Sequence, residues 1–283
     1  MIRVDGNQII ALSKFTNYMK KVQIMGILNL TPDSFYDGDK RKLISNSNDL
    51  DKAFKKVLNA DIIDVGGESS RPGSKEISYH EEIDRISVFN DFLKEHRNKV
   101  FSIDTYKPEV AQYALDNGYS MINDIYAGRY SNKMFELAAS YKVPIVLMHM
   151  RGSPENMQKH TKYDSLLDNI LNFFDERITE ANHNGVLDEN IILDPGVGFA
   201  KHRKDNYLII KNIGRIKKMG YKVLIGLSRK SFLSSCKDSP EDRLLGTMIM
   251  NTIAFINGVD ILRVHDVEDT IYGINVLHEY INS

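Results

Sequence analysis

Eight short apolar runs, rich in Ile and Val, punctuate the chain, and a longer stretch with helical spacing separates each from the next. They are Val22–Leu28, Ile62–Gly66, Val100–Asp104, Met121–Asp124, Pro144–His149, Ile191–Asp194, Val223–Ser228 and Ile261–Val264. The runs are near-continuously apolar rather than alternating, which is what parallel strands covered on both sides require. The clearest helix signal is Tyr163, Leu166, Leu167, Ile170, Phe173, Phe174 and Ile178, recurring at three- and four-residue steps on one face.

Eight strand–helix units in series, with no Pro/Gly/Ser-rich linker between them, predict an α/β protein with a closed (β/α)8 barrel of the TIM type. At 283 residues the chain allows roughly 35 per unit, enough for a strand, a loop and a helix. The alternative is a doubly wound open sheet, which usually brings a glycine-rich fingerprint after its first strand. Neither G-x-G-x-x-G nor G-x-x-x-x-G-K-[ST] occurs, and Gly196-Val197-Gly198 is only a fragment of the first. Residues 1–20 fall outside the count; with Gly6 between two apolar stretches they predict a hairpin closing the barrel's bottom, ahead of a barrel domain over 21–283. The segment Asp242–Asn257 carries Leu244, Leu245, Met248, Ile249, Ile253 and Ile256, a stripe wider than one barrel surface needs. Either a subunit interface or a deeply buried helix would account for it.

Charge and cysteine content narrow the function classes. Lys and Arg number 37 against 38 Asp and Glu, a net charge of −1, so there is no broad basic field for nucleic acid. Any anion must be met by a few placed residues. Cys236 is the only cysteine, which excludes an internal disulfide framework and any Cys-rich metal site and fits a reducing compartment. The start, MIRVDGNQII, lacks a signal-peptide pattern, and no run approaches the roughly 18 apolar residues of a membrane span. A soluble cytoplasmic protein is expected, without membrane or nucleic-acid partners.

In such a barrel chemistry is built at the C-terminal ends of the strands. Almost every run ends in a polar residue there: Asn29, Asp64 followed by Glu68, Asp104, Asn123 with Asp124, His149, Asp194, Ser228 through Lys230, and Arg263 with His265. Any one of them could be a helix cap or turn former; their recurrence at one rim points to a site. Asp104, Asn123 and Asp194 suit the N–H-rich edge of a planar heterocycle, because a carboxylate facing a ring N–H and an amino group makes two parallel hydrogen bonds. Arg71, Arg263 and His265 form a donor set suited to phosphate or diphosphate. Asn29 could ligate Mg2+, which needs few protein oxygens, or cap the turn at Thr31-Pro32-Asp33-Ser34. Lys230 reads as a Schiff-base nucleophile or as a cation facing a ring carbonyl or nitrogen. No G-x-S-x-G elbow supports nucleophilic catalysis, and His149 reads as a packed, hydrogen-bonded histidine.

Two longer segments, Met25-Gly26-Ile27-Leu28-Asn29-Leu30-Thr31-Pro32-Asp33-Ser34-Phe35 and Asp64-Val65-Gly66-Gly67-Glu68-Ser69-Ser70-Arg71-Pro72-Gly73, resemble the hallmark motifs of the dihydropteroate synthase family. The likeness continues in the family's order through Ser102–Thr105, Ile122–Ile125, Leu147–Met150, Asp194–Phe199, Ser228–Ser231 and Arg263–Asp266, covering about residues 25 to 269. It implies a transferase that condenses 6-hydroxymethyl-7,8-dihydropterin diphosphate with 4-aminobenzoate in folate biosynthesis, a target of sulfonamides. By that resemblance Asp104, Asn123, Asp194 and Lys230 hold the pterin. Ser70, Arg71, Arg263 and His265 hold the diphosphate, and Asn29 holds Mg2+. Phe35, Pro72, Phe199 and Ser231 line the 4-aminobenzoate pocket, and Lys230, Arg263, His265 and Asp104 are the catalytic group. The resemblance also implies a homodimer. Ser70 stands where the family commonly has Thr, and Ala200 where it commonly has Gly.

The nearest rival shares the pterin barrel: a methyltransferase passing a methyl group from methyl-tetrahydrofolate to a corrinoid protein. It has no use for the anion set of Arg71, Ser228-Arg229-Lys230 and Arg263-Val264-His265. A non-catalytic scaffold on the same barrel would tolerate losses in the ring, and none is seen.

Overall fold

The computed structural model describes residues 22–31, 47–234 and 243–283. Eight strands close into one parallel barrel in sequence order: β1 (Gln23–Asn29), β2 (Ile62–Gly66), β3 (Val100–Asp104), β4 (Met121–Asp124), β5 (Ile145–Met148), β6 (Ile191–Asp194), β7 (Lys222–Gly226) and β8 (Ile261–Val264). β1 pairs with β8 as well as β2, so no edge remains. The eight-stranded barrel expected from the apolar runs is what forms. β7 ends two residues earlier than expected, since beyond Gly226 the chain leaves the sheet for a turn with Arg229 at a φ of 56°.

The described helices are α1 (Ser47–Val57), α2 (Tyr79–Ser87), α3 (Asn90–Glu95), α4 (Pro108–Asp116), α5 (Lys133–Tyr141), α6 (Leu166–His183), α7 (Arg203–Lys211), α8 (Ile213–Lys217), α9 (Leu244–Ile256) and α10 (Val267–Asn282). α4 starts on Pro108, whose missing N–H costs nothing at that position. α6 buries Leu166, Ile170, Phe174 and Ile178 at four-residue steps. Tyr163 stands outside this helix, correcting the sequence reading: Ser165 is an extended N-cap, and the Tyr163 hydroxyl donates to the Ala200 carbonyl at 3.0 Å.

The core is divided by the strand period of two. Outward residues such as Ile63, Val65, Ile103, Ile122, Leu147, Leu193 and Ile225 pack with the helices in one large cluster. Inward residues Met25, Ile62, Met121, Val146, Ile192, Leu224 and Ile261 form a separate floor inside the barrel. Two residues further along, the same inward face carries Asp64, Asn123, Asp194, Gly226 and Arg263.

α9 is not a deeply buried helix. Its buried residues are Thr247, Asn251 and Ala254, whereas Leu245, Ile249, Ile253 and Ile256 are exposed, Leu245 by 72%. On neighbouring α10, Tyr272, Val276 and Tyr280 are exposed at four-residue steps. No helix among the described residues is long and apolar enough to cross a membrane. The N-terminal hairpin expected over residues 1–20 lies outside the described residues, as do Phe35 and Cys236.

Candidate active site

At the C-terminal end of the barrel a cleft opens. It is lined by Ser70, Asp104, Asn123, Asp194, Phe199, Ser228, Lys230, Arg263 and His265, nine residues singled out from the sequence, with Ile27, Ile125, Met148 and Gly226 completing the wall. The apolar part suits the faces of a flat ring and the polar part its edge. Register explains the convergence: Asp104 lies beside Asn123, Met148 beside Asp194, and Arg263 beside Gly226.

Arg263 is the electrostatic hub. Its Nε donates to Asp64 Oδ2 at 2.6 Å and its Nη2 to Asp104 Oδ2 at 2.5 Å. Burial works against its charge, but Asp64 and Asp104 outweigh burial and hold it protonated. Two carboxylates thus already engage this member of the expected donor set, and Nη1 is the nitrogen left without a hydrogen bond among the described residues. Burial pushes the Asp104 carboxyl up to about 7, with Arg263 opposing and Asp64, Glu82 and Asp124 adding to the rise. Asp194 is likewise raised by burial, with Lys230 opposing, and its Oδ1 accepts from Gly196 N at 2.7 Å.

Lys230 donates to the Val197 carbonyl and lies 4.8 Å from the centre of the Phe199 ring. Burial lowers its pKa to about 8, against the pull of Asp194. His265 is lowered to about 4, by burial and then by Arg263, so its imidazole is neutral at pH 7. Ser228 Oγ accepts the His265 backbone N–H at 3.2 Å and lies 3.0 Å from Nδ1. With the Ser228 proton given to Nδ1, Nε2–H is the donor this ring offers the cleft.

The remaining expected residues stand around the cleft rather than in its lining. Arg71 and Pro72 are exposed on the β2–α2 loop just past Ser70; Arg71 is close enough to His265 to help depress its pKa. Ser231 is exposed beside Lys230, and Asn29 is half-buried at the end of β1 opposite Gly66. Arg229 turns away and pairs with Asp266, its Nη2 2.6 Å from Oδ1. His149 is the packed histidine expected, 2% exposed.

The sequence assigns no role to three buried groups, although Asp64 and Glu68 stand among its polar strand ends. Asp64 joins Arg263 to Asn123, whose Nδ2 donates to Asp64 Oδ2 at 2.9 Å. Lys107 binds Glu68 and, at 2.8 Å, Glu82, while Tyr106 donates to Glu68 at 2.8 Å, which pins the loop carrying Ser70 and Arg71. Lys201 donates to the carbonyls of Phe199 (2.9 Å) and His149 (3.2 Å) and lies 3.0 Å from His149 Nδ1. Burial lowers Lys201 to about 7 and His149 to about 2. The polar strand end marks Asp64, and the strand period puts it on the inward face two residues past Ile62, but its partners lie on other strands; neither lysine has a sequence signal separating it from a solvated charge.

The chain matches the family model described as pterin binding enzyme over residues 25–265. It is 44% identical over 262 residues to the dihydropteroate synthase of Clostridium beijerinckii, covering 90% of this chain and 93% of that one. The Yersinia pestis dihydropteroate synthase solved with a sulfonamide drug complex superposes with a TM-score of 0.85 at 34% identity, covering 93% of this chain and 95% of that one. The Xanthomonas albilineans dihydropteroate synthase in complex with 7,8-dihydropteroate gives 0.81 at 31% identity, covering 92% and 94%. With a barrel, a rim cleft and relatives that agree over nearly the whole length, this chain belongs to the dihydropteroate synthase family of pterin-binding enzymes.

Proposed function

We propose that the cleft joins 6-hydroxymethyl-7,8-dihydropterin diphosphate to 4-aminobenzoate, forming 7,8-dihydropteroate and releasing diphosphate. The observation that carries this reading is the meeting, in one cleft, of an acceptor set (Asp104, Asn123, Asp194) with a donor set (Lys230, Arg263, His265). The first set with Lys230 takes the pterin edge while Ile125, Met148 and Phe199 cover the ring. Ser70, Arg71, Arg263 Nη1 and His265 Nε2–H take the diphosphate. Phe199 with Phe35, Pro72 and Ser231 receives 4-aminobenzoate.

In the first step the bond between the pterin methylene carbon and the diphosphate oxygen breaks, and the oxygen leaves with the electron pair. Arg71, Arg263 and His265 stabilise the charge developing on diphosphate. The electron-rich pterin spreads the positive charge on the methylene, and the Asp104 and Asp194 carboxylates favour it. No strong base is needed for that first step; the weakly nucleophilic amine of 4-aminobenzoate then forms the C–N bond and gives its extra proton to water. Asn29 fits a Mg2+ site: it is half-buried at the end of β1, and its amide makes no hydrogen bond among the described residues. A cation with one protein oxygen, waters and phosphate oxygens matches that supply. Mg2+ at Asn29 would neutralise charge on the leaving diphosphate.

The loop Glu68–Ser74 closes once diphosphate is bound and completes the 4-aminobenzoate site; the loop Thr31–Asp39, expected to close with it, lies beyond Thr31 outside the described residues. The exposed apolar face of α9, continued by α10, pairs two copies into a homodimer. A single barrel domain over 21–283 in the cytoplasm completes the reading, supported by the closed sheet and the lone Cys236.

Incubating the protein with the pterin diphosphate, labelled 4-aminobenzoate and Mg2+ tests the reaction: diphosphate and labelled dihydropteroate should form in equal amounts, and no diphosphate release overturns it. A sulfonamide should compete with 4-aminobenzoate. Binding of 4-aminobenzoate that is equally tight without diphosphate would overturn the ordered closure.

A further inference from the structure

Asp64 lies at the centre of the rim and is fully buried. Its Oδ2 accepts from two side chains, Asn123 Nδ2 at 2.9 Å and Arg263 Nε at 2.6 Å. Its Oδ1 is buried with no hydrogen-bond partner. Burying an unpartnered carboxylate oxygen works against folding, so stability alone does not account for an acid here. Both of its donors line the cleft, whereas Asp64 itself does not.

We infer that Asp64 is a positioning residue that sets which hydrogen-bonding groups the cleft offers its ligand. An asparagine amide can turn either its oxygen or its NH2 toward a neighbour. Asp64 removes that choice. Its carboxylate, paired with an arginine that stays protonated, can only accept, so the Asn123 NH2 must face it and the Asn123 oxygen is left for the cleft. Asn123 then joins Asp104 and Asp194 as a third acceptor, and a ring edge bearing an amino group is preferred to one bearing a carbonyl. The same carboxylate holds the Arg263 guanidinium through Nε while Asp104 engages Nη2, so that Nη1 is the nitrogen offered to an anion.

This inference rests on the pterin reading of the cleft, and two probes separate their failures. 6-Hydroxymethylpterin carries an amino group where 6-hydroxymethyllumazine carries an oxo group, and ligand fluorescence reports the binding of each. The wild type should prefer the amino ring by about 100-fold or more, since the oxo ring leaves buried acceptors unpaired. In Asp64→Ala the preference should shrink by about tenfold. In Asp64→Asn, whose amide oxygen can still take the Asn123 NH2, it should return to within about threefold of wild type. A wild type that binds neither ring removes the pterin reading and this inference with it. A selective wild type with an equally selective Asp64→Ala overturns the role of Asp64 alone. Should the alanine variant show no cooperative melt, Asp64→Ser, too short to reach Asn123, takes its place. NMR of the wild type gives an independent check: the Asn123 side-chain amide should show one proton protected from exchange, and two freely exchanging protons overturn the inference.

Discussion

The inward face of the barrel is built twice on the same strands, and the two levels obey opposite rules. At the floor, Met25, Ile62, Met121, Val146, Ile192, Leu224 and Ile261 meet one another, with the small buried Ser102 as the polar residue of that level on β3. One inward step later, Ile62 is followed by Asp64, Met121 by Asn123, Ile192 by Asp194 and Ile261 by Arg263. The floor stabilises without direction, each fully buried aliphatic side chain contributing about 1.5–3 kcal/mol. The rim holds carboxylates where burial raises their pKa, and there position outranks stability.

The largest test of this contrast is Arg263→Ala. It removes the proposed anion donor and leaves Asp64 and Asp104 facing each other without their cation. Diphosphate release should fall by about 10³-fold, and the unfolding free energy by about 3 kcal/mol; steady-state kinetics and urea melts measure the two. A floor substitution should separate them: Ile62→Ala should cost about 3 kcal/mol through its cavity, with kcat of the folded fraction unchanged. A comparable loss of kcat would mean that the floor also orders the rim.

A smaller effect comes from pH. The Asp104 carboxyl is raised to about 7, so its contribution to stability is full below its ordinary 3.8 and is lost as pH rises through about 7. Pterin binding runs the other way, because only the ionised carboxylate accepts two N–H groups. From pH 7 down to pH 5 pterin affinity should fall by about tenfold per unit, while Asp104→Asn should bind weakly and without that slope. Titration calorimetry at several pH values checks both. The smallest effect is expected at Ala200, which is buried at a φ of 52°, a conformation that favours glycine. Ala200→Gly should raise stability by about 0.5 kcal/mol, relief of strain exceeding the added freedom of the unfolded chain, and leave turnover unchanged.

Strand identity was legible because runs such as Ile191–Asp194 are short, β-branched and bounded by turn residues, and each ends where the chain leaves the sheet. The rim was legible for the same reason: a polar residue closing an apolar run can only lie at the strand's C-terminal end. What no local pattern could show is partnership across the barrel. Arg263 meets Asp64 and Asp104 at separations of 199 and 159 residues, and those contacts turn a free cation into a shared one. Lys107 and Lys201 look like surface charges in sequence because nothing local marks their burial. The stripe on α9 showed its width but not its direction, which depends on Thr247, Asn251 and Ala254 being the side packed inward.

The register that sets Gly226 beside Arg263 and Gly66 beside Asp104 also limits how this site can drift. A methyl group added at Gly66 would stand 3.3 Å from the Asp104 Cβ, and one at Gly226 would stand 3.8 Å from Lys230 Nζ, on the wall of the cleft. The second would narrow the slot and the first would press on Asp104, while every carboxylate, amide and cation kept its identity. Two hydrogen atoms therefore count among the determinants of ligand size, and a survey of variants that tracks polar residues alone would pass over the shortest route to a smaller pocket.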